Sequence, residues 1–144
     1  MKRNLITILS LVVMSLMFNA TGAYAQSFAK ADVPFAFNVG NAQLPAGTYE
    51  VRVLGSSPYE IMIQNHQTSA AAMSIARRES SRTAASKLVF HRIGSQYFLT
   101  EVWKGSAAGG MIVPTSKQEQ ELRKELQLAK GPSSGSENVT IALK

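Results

Sequence analysis

The chain has 144 residues, a formal net charge of +6, charged residues at 17% and no cysteine. That length bounds it to one modest domain. The missing cysteine excludes a disulfide framework, a cysteine zinc site, a thiol nucleophile and a lipid-modified N-terminal cysteine. An apolar content of 45% belongs to a globular chain rather than a disordered one.

Residues 1–25 have the form of a secretory signal. Lys2 and Arg3 supply the positive end, an apolar run follows from Leu5 to Phe18, and Ala23-Tyr24-Ala25 places small residues where signal peptidase reads them. Cleavage is expected between Ala25 and Gln26, and the apolar run is short of the roughly 20 residues that span a bilayer. Loss of this segment would leave residues 26–144 as a single β-rich domain, and would lower the net charge from +6 to about +4.

The strand from Val33 to Val39 alternates, with Val33, Phe35, Phe37 and Val39 on one face. Pro34 lacks an N–H and places this strand at an edge. Leu44-Pro45-Ala46-Gly47 predicts a tight turn. Strands follow over 48–54 and 60–64, with a turn at Asn65-His66-Gln67. Over 69–78 the alanines favour helix, but the position between strands and the short flanking turns favour a strand. Residues 79–86 are small and polar and read as a loop.

Residues 87–93 and 96–103 predict a hairpin closed by Gly94-Ser95, with glycine at the first central position of a type II′ turn. This register pairs Arg92 with Tyr97, Phe90 with Leu99 and Leu88 with Glu101. Both faces are apolar, so the hairpin is expected to be covered on both sides. A Gly/Ala/Ser loop over 104–110 leads to a short strand over 111–113. Ser116 and Glu119 have capping-box spacing and predict a helix over 117–130, stopped by Gly131-Pro132. Its narrow stripe of Leu122, Leu126 and Ala129 is the best candidate for the hairpin's second cover. A linker and a possible last edge strand over 139–143 complete the chain.

The segments Val33-Pro34-Phe35-x-Phe37-x-Val39-Gly40, Leu44-Pro45-Ala46-Gly47-x-Tyr49-x-Val51, Lys87-Leu88-Val89-Phe90-His91-Arg92, Gln96-Tyr97-Phe98-Leu99 and Val102-Trp103 together resemble a family of small exported bacterial proteins of unknown function, abundant in soil bacteria. The resemblance covers most of the chain after residue 25. It implies a β-rich domain in the envelope or outside the cell, and it implies no activity.

The residues themselves offer little chemistry. His66 and His91 are the only histidines, and neither has a partner at metal-ligand spacing, so no metal site is expected. Serines lack a nucleophile elbow, the carboxylates stand in no recognisable context, and no phosphate-binding glycine loop is present. The chain reads as non-enzymatic, with no cofactor. The basic stretch Arg77, Arg78, Arg82 and Lys87 lacks the density and aromatic interleaving of a nucleic-acid surface.

One cluster stands out. The hairpin register puts Arg92, Tyr97, Glu101 and Trp103 along one face, an aromatic patch with a charged end and the candidate ligand site. Ordinary cross-strand packing accounts for the same pattern. The expected fold is all-β with a C-terminal α-helix, a small antiparallel β-barrel or β-sandwich of about six to eight strands. The expected function is a secreted or periplasmic binding module for a small apolar or amphipathic ligand or a glycan. The alternative is a structural or assembly protein of the cell envelope acting through protein–protein contacts.

Overall fold

A computed structural model describes residues 29–55, 59–80, 85–105, 109–130 and 137–144. The signal segment and its cleavage site at Ala25 and Gln26 lie outside the described residues. The chain is all-β with a C-terminal helix. Its strands are β1 (Ala29–Val33), β2 (Phe37–Val39), β3 (Ala42–Leu44), β4 (Gly47–Leu54), β5 (Tyr59–Gln64), β6 (Ala71–Glu79), β7 (Ser86–Ile93), β8 (Gln96–Lys104) and β9 (Gly110–Ile112). Helix α1 (Lys117–Lys130) and strand β10 (Glu137–Ala142) follow. Ten strands exceed the six to eight expected because short strands flank Pro34 and Pro45, where the sequence pattern suggested one strand and a turn.

The hydrogen-bonded order is β1-β4-β5-β6-β9-β8-β2-β3, with β7 on the other side of β8 and β10 on the far edge of β7. Every pair is antiparallel except β2 with β8, which meet in parallel at Asn38 and Phe98. The sheet is therefore mixed, and its ladder does not close. β1 and the end of the chain are joined by one reciprocal pair, Lys30 N–H to Lys144 O at 3.0 Å and Lys144 N–H to Lys30 O at 2.8 Å.

Pro34 explains the first departure from the sequence pattern. It can give no hydrogen to a ladder, and the chain changes neighbours there: β1 pairs with β4, whereas β2 pairs with β3 and β8. The alternation survives the break, since Val33, Phe37 and Val39 are all buried in one core. Phe35, between the two strands, stacks on Tyr97 at 3.9 Å and meets Phe90 edge-on at 5.3 Å. Phe37 in turn makes edge contacts with Tyr49 and Phe90, a geometry aromatic rings favour. The interior is thus occupied by large side chains from β1, β2, β4, β5, β7 and β8.

The Pro-Ala-Gly-x-Tyr turn has a specific fastening. The Tyr49 hydroxyl donates to the Pro45 carbonyl at 2.6 Å. At Gly47, an added Cβ would lie 2.6 Å from Asn65 Nδ2. Asn65 is itself buried, and its Oδ1 accepts the backbone N–H of Gln67 and of Thr68. A side chain at position 47 would therefore displace the residue that organises the β5–β6 turn.

Helix α1 begins as its sequence signals indicate. Ser116 Oγ accepts the Glu119 N–H at 3.1 Å, satisfying one of the donors that a helix start leaves free. The reciprocal half of the capping box is not made, because the Glu119 carboxylate turns to the hairpin instead. Leu126 of α1 lies close to Gly94 at the hairpin turn, and Glu119 reaches His91 on β7.

Candidate functional site

The hairpin cluster is divided by a β-bulge. The turn sets the expected register at first, with Ile93 opposite Gln96, Arg92 opposite Tyr97 and Phe90 opposite Leu99. Val89 then pairs with Glu101, leaving Thr100 as an extra residue in β8, and Leu88 faces Val102 rather than Glu101. Thr100 is held in place by its hydroxyl, which donates to Val89 O at 3.1 Å, and by its carbonyl, which accepts Val113 N–H at 2.8 Å. An extra residue reverses the alternation beyond it. Leu99 and Val102 consequently both enter the main core, and Glu101 and Trp103 turn to the face opposite Tyr97.

The four residues form two separate pairs. The Arg92 guanidinium lies 5.9 Å from the centre of the Tyr97 ring. It is also engaged by the Gly94 carbonyl and by Glu137 at 3.4 Å. Trp103 Nε1–H donates to Glu101 Oε2 at 2.6 Å, and the indole is buried against Gly110, where a Cβ would come within 2.5 Å of the ring. Trp103 offers no open aromatic platform. The cluster's expected shared face is overturned by one inserted residue, which hydrophobic alternation alone does not reveal.

Two carboxylate–histidine pairs that local spacing misses are assembled by the fold. Glu50 on β4 is only 8% exposed, whereas charged side chains are mostly exposed in folded proteins. Its Oε1 accepts from Arg52 at 2.5 Å and its Oε2 lies 3.0 Å from His66 Nε2. The Arg52 hydrogen bond, chiefly, holds the Glu50 carboxyl below the usual glutamate range; burial works against it, and His66 adds to the lowering. Lys30, Thr48, Tyr49, Glu50, His66 and Gln67 line a recess of about 140 Å³. The second pair is His91 Nδ1 with Glu119 Oε1 at 3.3 Å, on the same oxygen that accepts from Arg123 at 2.9 Å. Neither pair recruits a third ligand: among the described residues no group of three His, Cys, Asp or Glu is placed to hold a metal ion.

The sheet's outer surface is arranged in cross-strand rows. Lys30, Glu50, Gln64 and Ala71 form one row, and Arg52, Met62 and Met73 the next. Leu54, Glu60 and Ile75 form a third. Met73 and Ile75 are 56% and 59% exposed; they stand opposite Met62 and Glu60 of β5, whereas β9 meets β6 at Arg77, Arg78 and Glu79. Charged and apolar residues thus share one open face.

No family description, characterised protein or solved structure matches this chain. Among the described residues no helix is long and apolar enough to cross a membrane.

Proposed function

We propose that this chain is an exported, non-enzymatic interaction module that engages a partner protein through the outer face of β5 and β6. The observation that carries this reading is the exposure of Met73 and Ile75 beside half-buried Met62 on the adjacent, paired strand β5. Large apolar side chains grouped on a surface mark contact sites more often than chance exposure does. Arg52, Glu60 and Arg77 around them supply the polar rim typical of a protein interface. Export is supported by the charged, apolar and small-residue segments of residues 1–25 in their proper order.

The test is capture from the native cell envelope with the tagged chain and with a Met73→Lys, Ile75→Lys double variant. Both positions are exposed, so the variant is expected to keep its fold. A partner held by the wild type and released by the variant supports the reading. A partner retained by both, or none held by either, sinks it.

A second reading rests on the Glu50 recess. Its volume suits a small polar or amphipathic ligand, or one sugar unit, and it combines a lysine, an amide and a buried carboxylate. Chemical-shift mapping with glycan and small-ligand panels tests it; shifts that never reach Lys30, Glu50 or His66 rule it out.

A further inference from the structure

Among the described residues, the seam between β1 and β10 is joined at Lys30 and Lys144. Hydrogen-bonding direction alternates along a β-strand, so residues two apart face the same neighbour. The reciprocal bonds of Lys30 and Lys144 therefore fix which groups face the seam. Leu143 donates the other way, to Ser86 O of β7, and Val139 and Ile141 share its direction, opposite Phe90 and Leu88. The backbone N–H and C=O of Asn138, Thr140 and Ala142 point into the seam, as do those of Asp32.

β1 cannot satisfy those of Asn138 and Thr140. With Lys30 opposite Lys144, antiparallel register sets Asp32 opposite Ala142 and Pro34 opposite Thr140. Pro34 has no N–H to give, and the chain leaves for β2 at that point. Among the described residues no backbone group bonds the outward side of Asn138 or Thr140. The inward side chains of β10 register the same gap. Val139, Ile141 and Leu143 pack against the main core yet are only partly buried.

Exposed strand edges are usually guarded by brevity, proline or charge. β3 is three residues long, and β1 carries Lys30 and Asp32 outward. β10 runs six residues, Glu-Asn-Val-Thr-Ile-Ala, with its one charge at the first position.

We propose that the β10 edge at Asn138 and Thr140 is a strand-addition site for a flexible, extended segment of a partner protein, one that alternates apolar and polar residues and contains no proline. Such a segment pairs its backbone with β10 and places alternate apolar side chains beside Val139 and Ile141. A second folded copy fits less well. It would bring its own β10 edge to edge while its inward residues stayed in its own core, and the seam in each copy would remain open. This inference does not depend on the β5–β6 face, which lies elsewhere in the sheet order.

The experiment uses the chain without its first 25 residues, the form that cleavage would leave, and a synthetic peptide alternating valine and threonine between terminal lysines. Backbone amide exchange is followed by NMR at millimolar peptide. The expected result is at least tenfold slower exchange at Asn138 and Thr140, with Val139 and Ile141 unchanged because β7 already protects them. Thr140→Pro removes the central outward donor without touching the β7 ladder and abolishes the effect. Thr140→Lys serves the same purpose by guarding the edge with charge if the proline variant does not fold. Three results overturn the proposal: slow exchange at these amides before peptide is added, no protection by the peptide, or equal protection in both variants. Concentration-dependent dimerisation that protects the same amides also overturns it, in favour of a second copy.

Discussion

The two outer faces of this sheet are treated differently. Over β7 and β8, Val89, Ile93, Phe98 and Thr100 are buried although they stand outside the main core cluster, and α1 reaches this side through Glu119 and Leu126. Over β5 and β6, Met73 and Ile75 occupy comparable outward positions and remain open to solvent. Part of the difference lies in the strands, since Glu60, Gln64 and Arg77 share the open face with Met73 and Ile75. The rest lies in the availability of a cover: among the described residues there is one helix, and it goes to the hairpin. Leu128, two residues after Leu126 and so on the opposite side of the helix, is 89% exposed.

The sharpest way to break the comparison is to truncate one residue from each face. Phe98→Ala, on the covered face, is expected to destabilise the fold by about 3–5 kcal/mol in urea unfolding. Ile75→Ala, on the open face, is expected to change it by no more than about 0.5 kcal/mol. Equal losses would mean that the two faces are buried alike.

The attachment of the cover is the next target. Glu119 is 2% exposed, and its carboxylate receives both His91 and Arg123. Glu119→Ala removes the shared acceptor and strands two donors, with an expected loss of about 1–3 kcal/mol. Amide exchange should speed up in α1 before it does in the strands. Uniform acceleration through the sheet would show that the helix is not a separable cover.

A smaller effect is expected on the open side, at Glu50. Its carboxyl is held below the ordinary glutamate value of 4.5, first by Arg52. A lowered value in the folded state means that the ionised form stabilises the fold above the ordinary glutamate range, and that this contribution disappears as pH falls through the folded value. Wild type should therefore be more stable than Glu50→Gln at neutral pH, with the gap closing in acid. A gap independent of pH would point to shape rather than charge. Asp32 is lowered in the same sense by the Thr48 hydroxyl and by Lys144, so Asp32→Asn should give a similar closing gap.

Much of the architecture is legible locally. The helix over 117–130, the Gly94-Ser95 turn with positive φ at Gly94 alone, and the inward set Val33, Phe37 and Val39 follow from caps, turn chemistry and alternation. The strand expected over 69–78 is found at Ala71–Glu79, where small Ala72 and Ala76 face the core. The candidate site was less legible. Arg92 and Tyr97 meet because they flank a well-specified turn. Glu101 and Trp103 lie beyond Thr100, whose place as an extra residue is set by bonds to Val89 and Val113, contacts with no signature in the pattern of β8. Glu50 with His66 and His91 with Glu119 are joined across 16 and 28 residues of sequence.

Short-range physics acts on neighbours, so the sequence by itself determined the β-rich class, the turns, the capped helix and which side chains seek the core. Strand order, the bulge, the buried carboxylates, the uncovered β5–β6 face and the seam that Pro34 leaves open were decided only by tertiary structure. Each depends on which distant backbone supplies, or fails to supply, a hydrogen-bond partner.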